Sequence, residues 1–557
     1  MTSRRKFLAR LGAALAATGC APAVGARAGA PRRFDILVRG GTVYDGTGSE
    51  GVIADVGISA GRIAAIAPRL TQRAGEVIDA RGLVVAPGFI DIHSHGDGSM
   101  FEDPRSESVI RQGITTIVAG QDGSSWAPQR PIADKGAKIR RSFDIDRDFE
   151  SLGEFFTAVE RLPPSMNVAS MVGLGTVRGV VVGEVNRPAT ADEIAEMRSL
   201  VEGALSQGAC GASSGLEYTP NAFASIAEEI ELCRPLARRG LPYATHMRNE
   251  ADTLLEAIEE AVAIAKGAGC PLQISHLKTE GPRNFGKIDT VLARLEGLKR
   301  EGMDVAYDRY PYVAYSTGLT SLFPTWSRDG GTAAFIERLS DPAVAGRIRQ
   351  ETLNKIELIG GWNSVMVTSV RDARDRTAEG KRMGDYAKAV GVEPYQLTTA
   401  LLTRSGGAVG MVGFAMSEEN LERFLAHPLG MLCTDGAGFA IEGPTRRGSP
   451  HPRGAGSFPR VLGLYVRERK TLTMAQAINK MTAFPASRIR LADRGKLAEG
   501  FAADVTIFDA GTVRDRADFG APFQYPEGIR TVLVNGQIAL RDGLRNDRRF
   551  GQVLRSR

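Results

Sequence analysis

The stretch APGFIDIHSHGD, residues 86–97, decides how this chain folds. Phe89-Ile90-Asp91-Ile92 is a short apolar run of the kind that forms a buried strand. It runs into His93-Ser94-His95, and Pro87-Gly88 and Gly96 punctuate its two ends. Side chains on a strand alternate faces, so residues two apart point the same way. The two imidazoles therefore leave the strand end together, at a spacing that suits one metal ion. Alone, a His-x-His pair is weak evidence, because such pairs also arise by chance on surfaces. The rest of the chain decides its meaning.

On both sides of this stretch, strand-like segments alternate with helical ones. The segments Phe89–His95, Thr115–Gln121, Asn167–Gly173, Gly211–Leu216, Pro242–His246, Pro271–His276, Asp304–Tyr310 and Gly430–Asp435 read as eight strands. Helical patterns fit between most of them, including Ala191–Gln207, Ala251–Ala268 and Asp289–Arg300. Eight βα units close into a (β/α)8 TIM barrel. One connection is too long for a barrel loop. The residues from about 313 to 428 form an inserted subdomain, whose natural place is over the barrel mouth as a lid. Before the barrel, FDILVRGGTVYDGTG from Phe34 begins a β pattern with glycine turns, and Ala503–Asp509 and Ile529–Leu540 supply matching strands near the other end. Residues 31–87 and 491–557 are thus expected to build one small β-sandwich. Residues 88–490 are then the barrel, α/β in class.

At 557 residues, with 43% hydrophobic and 24% charged residues, the chain has room for two or three ordinary globular domains. A net charge of +6 without a Lys/Arg stripe and interleaved aromatics argues against nucleic-acid binding. Ser3-Arg4-Arg5-Lys6-Phe7-Leu8 followed by the apolar run Leu8 to Ala17 is a twin-arginine export pattern, so residues 1–30 are expected to be a signal segment and the protein periplasmic or exported. That run is too short to span a bilayer, and no other stretch is long and apolar enough. Ala26-Arg27-Ala28 offers a cleavage point, and Ala17-Thr18-Gly19-Cys20 offers a lipid-anchoring one instead. The five cysteines (Cys20, Cys210, Cys233, Cys270 and Cys433) have irregular spacing and no C-x-x-C. They form neither a disulfide framework nor a zinc finger, and the last four are expected to be buried thiols.

The chain has six histidines, and four of them (His93, His95, His246 and His276) end a predicted strand. Asp435, in LCTDG, does the same. A TIM barrel carries its chemistry at the C-terminal strand ends. Imidazoles and a carboxylate gathered on one rim make a Zn2+-type site with a position left open. A divalent ion there acidifies water enough for work near neutral pH. A neighbouring carboxylate can relay the proton to a leaving group. The chemistry implied is metal-assisted hydrolysis of an amide or a related bond. His427, next to a proline, reads as structural, and His451, in a Pro/Gly/Arg loop, reads equally well either way.

The motifs GFIDIHSHGD, GITTIVAGQDGSS, GLEYTPNAFAS, THMRNE, ISHLKTEG, DRYPYVAYST, CTDGAG and HPRGAGSFPRVLGLYVRE give the chain its resemblance to the amidohydrolase superfamily, and within it to the N-acyl-D-amino-acid deacylases. The resemblance covers residues 34–545. It implies a hydrolase using one or two divalent metal ions, Zn2+ foremost, on an N-acylated small molecule with a free carboxylate. Carried over, His246 and His276 hold the tighter metal, and His93 and His95 hold a second, weaker one or complete a single site. Asp435 matches the general acid/base, Lys278 and Arg453 match groups that hold the substrate carboxylate, and Tyr218 and Tyr312 line the pocket. Two fixed cations suit a carboxylate. One position departs from the family pattern. Where these deacylases carry a Cys ligand in a GNCG-like segment, this chain has Gly120-Gln121-Asp122-Gly123, which makes Asp122 the metal-ligand candidate, a harder ligand than thiolate. The alternative role for Asp122 is a turn residue, and Glu217 is a further carboxylate near the rim. Two other functional readings stay open at this point: a dipeptidase or cyclic-amide hydrolase of the same superfamily, and a barrel that has lost catalysis and binds.

Overall fold

A computed structural model describes residues 33–129 and 149–556. The expected signal segment, with Cys20 and Ala28, lies outside the described residues. Among the described residues, no helix is long and apolar enough to cross a membrane.

The barrel strands are β1 Phe89–Asp91, β2 Ile114–Ala119, β3 (Asn167–Ser170 continued by Val172–Gly173), β4 Ala212–Gly215, β5 Tyr243–His246, β6 Leu272–Ile274, β7 Val305–Arg309 and β8 Gly430–Leu432. Every neighbouring pair is parallel, in the order β1-β2-β3 and β3-β4-β5-β6-β7-β8. Beyond β8 the chain returns to β1: Asp435 N donates to His93 O at 2.9 Å and His95 N to Gly436 O at 3.0 Å. The architecture is the (β/α)8 barrel read from the sequence. All eight expected strands are present, most of them shorter at the C-terminal end.

The covering helices include α1 Leu152–Arg161, α2 Ala191–Ser206, α3 Ile226–Arg239, α4 Leu254–Ala268, α5 Ile288–Arg300 and α6 Glu418–Ala426. Their boundaries follow local chemistry. Thr190 caps α2 in a reciprocal box with Glu193, and Ser225 caps α3, which Gly240 ends in a left-handed turn. In α4, Leu254, Ala257, Ile258, Ala261, Val262 and Ala265 are buried at three- and four-residue spacing, the stripe that packs on the sheet.

The small β domain draws on both ends of the described chain. Strand Val84–Pro87 pairs with Val505–Phe508, joining five strands from residues 33–87 to four from residues 505–545 in one nine-stranded sheet. Ile36, Val38, Val56, Val85, Val505, Ile507 and Leu533 form its common core. The turns at Gly61 and Gly536 meet: a Cβ on Gly536 would lie 2.5 Å from the Gly61 Cα. That contact folds the two ends of the sheet towards each other, as in a sandwich.

The inserted subdomain contains an antiparallel sheet of Tyr315–Gly318, Val409–Gly413 and Val365–Val370, with Val409–Gly413 in the middle. It has its own core, including Leu319, Phe323, Phe335, Ile348, Leu401 and Met411, which ends at Ala415. Helix α6 instead sends Leu421, Phe424 and Leu425 into the barrel core. The insertion therefore stops about a dozen residues before the limit that strand spacing suggested, because α6 is the ordinary barrel helix preceding β8. It docks on the rim: Arg328 Nη2 donates to Glu217 O at 3.0 Å and Thr317 Oγ1 to Tyr218 OH at 3.3 Å.

Candidate metal centre and active site

The site is built on the residues just past the strands. His93 and His95 lie two and four residues beyond β1, Asp122 three beyond β2, His276 two beyond β6 and Asp435 three beyond β8, while His246 is the last residue of β5. Among the described residues, nine non-glycine residues have positive φ, and three are Asp122 (51°), His276 (34°) and Asp435 (50°). Left-handed backbone is strained for such residues and persists where surrounding contacts fix it. Here it turns each side chain off its strand and over the barrel mouth. Gln121 anchors one turn, donating through Nε2 to Ile92 O and Val118 O at 3.0 and 3.2 Å.

All six groups converge. His93, His95, Asp122 and Asp435 offer ligand atoms within 4.8 Å of one another, and so do Asp122, His246 and His276. The Asp122 Oδ2 atom is shared, 3.4 Å from His93 Nε2, 3.5 Å from His95 Nε2 and 3.4 Å from His276 Nε2. His246 Nδ1 and His276 Nε2 lie 2.9 Å apart. Two buried atoms at the centre, His93 Nε2 and Asp122 Oδ1, have no hydrogen-bond partner. Buried polar atoms are rarely left in that state. Nitrogen and carboxylate donors that face one another, two of them unsatisfied, fit a divalent cation. The carboxylates also draw positive charge. Burial favours neutral His93, but Asp122, Asp308 and Asp435 outweigh it and lift its pKa well above the usual value. Burial likewise opposes the charge of Asp435, yet Arg453 and His93 hold its pKa far below the ordinary range.

Behind this front stands a second set of acids that the sequence reading did not assign as partners. Each of the three buried histidines of the centre rests on one. His93 Nδ1 faces Asp308 Oδ1 at 3.2 Å, His246 Nε2 faces Glu217 Oε2 at 2.9 Å, and His276 Nδ1 faces Glu250 Oε1 at 3.1 Å. An acid partner holds the proton on the ring nitrogen it faces and leaves the other for a metal, as at His93, whereas His276 Nδ1 also lies 2.8 Å from the Lys278 ammonium. Glu250 occurs in THMRNE and Asp308 in DRYPY, so the motifs contained them, but nothing in their spacing linked them to a histidine.

A cavity of about 400 Å3 opens over the centre. Lys278, Arg453 and Tyr218 line it. Lys278 is committed to Glu250, with Nζ 2.6 and 2.5 Å from its two oxygens. Arg453 donates through Nη1 to Asp435 Oδ2 at 2.7 Å, and its guanidinium lies 4.7 Å from the Tyr310 ring centroid. Tyr312 does not reach the cavity. Its ring packs on His451, 5.2 Å between centroids, and its hydroxyl faces Asp515 at 3.4 Å. Tyr310 lines the cavity instead, and its buried hydroxyl has no hydrogen-bond partner. The insertion contributes Tyr315, Ser316, Thr317, Ser321 and Lys355 to the wall. Lys355 bridges to Glu280 of the barrel at 2.8 Å.

The two remaining histidines are structural. His451 Nε2 donates to Ala314 O at 2.8 Å and its Nδ1 accepts from Arg453 N at 2.9 Å, so it ties the insertion to the residue that carries the guanidinium. His427 lies away from the centre, 3.3 Å from Glu296. Cys210, Cys233, Cys270 and Cys433 are buried and free.

Comparison with known proteins agrees with this geometry. A model of the amidohydrolase family matches residues 76–332 and 448–540. The chain is 35% identical over 529 residues to a D-aminoacylase of Alcaligenes xylosoxydans xylosoxydans, covering 94% of this chain and 97% of that one. It is 36% identical over 504 residues to an N-acyl-D-glutamate deacylase of the same organism, covering 90% and 93%. The crystal structure of an N-acyl-D-glutamate deacylase from Bordetella bronchiseptica, complexed with zinc and a phosphonate inhibitor that mimics the tetrahedral intermediate, superposes with a TM-score of 0.79 at 35% identity. That match covers 94% of this chain and all of the other.

Proposed function

The chain belongs to the amidohydrolase family, and from that premise we propose that it is a metal-dependent hydrolase that cleaves the amide bond of N-acyl-D-amino acids or closely similar N-acylated carboxylates. The observation that carries this reading is the convergence of four imidazoles and two carboxylates, with unpartnered atoms at their centre, beneath a cavity of small-molecule size. His93, His95, Asp122, His246 and His276 would hold one or two divalent ions, zinc foremost. When bound, such an ion polarises the scissile carbonyl and makes water a better nucleophile.

The chain's own groups do the rest. Asp435 is kept ionised by Arg453 and the histidines, so it can accept the proton of the attacking water and pass it to the departing amine. Arg453 spends Nη1 on Asp435. Its remaining donors, with the Tyr310 hydroxyl, face a substrate carboxylate and so orient the carbonyl, while Lys278, held by Glu250, adds positive charge to the same wall. Tyr218 and the insertion residues around Ser316 close the pocket against bulk water.

The test uses the purified metal-loaded enzyme and one matched pair of N-acetyl-D- and N-acetyl-L-amino acids. Asp435→Asn should lower turnover by about 100-fold or more while leaving the bound metal unchanged. Activity within a few-fold of the parent would refute the acid/base role. Equal rates on both enantiomers would refute the stereochemical part. We also propose that the protein is exported by the twin-arginine route, on the strength of residues 3–17. The mass of the mature chain would distinguish cleavage after Ala28 from lipidation at Cys20.

A further inference from the structure

Asp308 lies inside β7, is fully buried, and takes no part in the chemistry above. Four donors from three other strand segments reach it. Its Oδ1 faces His93 Nδ1 at 3.2 Å, the His276 backbone N–H at 2.8 Å and the Cys433 thiol at 3.4 Å. Its Oδ2 accepts from Gln273 Nε2 at 2.7 Å. A single oxygen thus touches the side chain of one metal-ligand candidate and the backbone of another. The second of these is His276, whose φ of 34° needs such a restraint.

We propose that Asp308 is the positioning residue that couples the two halves of the metal centre. It holds His93 with its proton on Nδ1, so that Nε2 is the nitrogen offered to the ion. Through the same oxygen it locks the left-handed turn that aims His276 Nε2 at the same place. The proposal rests on the reading that these histidines bind a divalent ion, and on two features of its own. His93 Nε2 is the buried nitrogen with no hydrogen-bond partner, while its Nδ1 is engaged. The other contacts of Asp308 are neutral donors that keep it in place rather than compete for an ion.

The conservative variant separates position from charge. In Asp308→Asn the acceptor oxygen can stay under His93 and His276. The new amide N–H then meets Gln273, whose Oε1 has no hydrogen-bond partner and can accept it once that amide flips. Asp308→Ala removes the acceptor altogether. In a chelator competition with zinc, Asp308→Ala should bind about 10–100-fold more weakly than the parent, and Asp308→Asn should recover to within about threefold. Zinc affinity unchanged in Asp308→Ala, or equally poor in both variants, would overturn the proposal. Should the alanine variant fail to fold, the parent protein still decides the matter. The 15N spectrum of its six histidines in the zinc-loaded state should show His93 protonated at Nδ1 and metal-bound at Nε2. The opposite arrangement would overturn the proposal. A parent protein that binds no zinc would take the functional reading down and this one with it. Zinc binding indifferent to Asp308 would take down this one alone.

Discussion

Glu229 is a carboxyl that the fold keeps uncharged. Its side chain is buried beside the β4 turn, where Oε1 accepts from Asn221 Nδ2 at 2.6 Å and Oε2 has no hydrogen-bond partner. Burial pushes its pKa up to about 8. The folded state therefore holds this proton more tightly than the unfolded state does. Stability from this group is complete below the unfolded carboxyl range and is lost as pH rises from there through about 8, by up to roughly 5 kcal/mol. Glu229→Gln should flatten the decline in urea stability between pH 5 and pH 9, and an unchanged slope would place the titration elsewhere. Single residues also show how far the sequence could be read. His93, His95, His246 and His276 were legible because a histidine at a strand end is rare and four of six at such positions cannot be accidental. Asp308 was not legible as a partner of His93, because 215 residues separate them and no local pattern marks a carboxylate that serves another strand. Tyr310 and Tyr312 were indistinguishable for a similar reason: which one faces the cavity depends on distant partners such as Asp515, not on composition.

At the scale of the element, the site belongs to strand termini more than to strands. Period-two reasoning extended β1 to His95 and β8 to Asp435, but the ladders end at Asp91 and Leu432. Hydrophobic pattern marks what is buried, and all the residues that leave the ladder here except His95 are buried too, so the pattern gave no sign of the break. The turn after β2 shows what replaces regular pairing. Gly120 has a φ of 71°, Ser213 Oγ donates to its carbonyl at 2.6 Å, and an added Cβ would lie 2.1 Å from Met171 O. A side chain there meets both a disfavoured backbone conformation and immovable main chain. Gly120→Ala should destabilise the protein by about 3 kcal/mol or more and displace Asp122 two residues on. A melting temperature within a degree or two of the parent, with zinc affinity retained, would contradict this account. The three helices named from the sequence, Ala191–Gln207, Ala251–Ala268 and Asp289–Arg300, agree with α2, α4 and α5 to within three residues at either end, and the Thr190 box opens α2. Capping is a local signal, whereas strand ends are set by neighbours far along the chain.

The whole molecule consists of a barrel, an insertion across its mouth and a β domain beside it. The insertion was visible as surplus length between two strands, but its far boundary was not, since α6 resembles any other amphipathic helix until its core is known. Lys355 and Glu280 join insertion to barrel at the cavity wall, with the Glu280 side chain 7% exposed. Lys355→Met would leave that carboxylate buried without its ammonium, at a cost of about 3 kcal/mol. Protease cleavage within the insertion should rise accordingly, and adding Glu280→Gln should reverse most of both effects. No loss of stability in the single variant would mean that the insertion is held by its other contacts alone. The seam of the β domain has a different kind of consequence. A ribosome emits Val84–Pro87 early and its partner Val505–Phe508 some four hundred residues later. The β domain is thus begun before the barrel and finished after it, and one flank of Val84–Pro87 waits for its partner until the barrel strands have been made. More than four hundred residues must be added before that flank is covered, so during synthesis it is an open strand edge of the kind that invites mispairing.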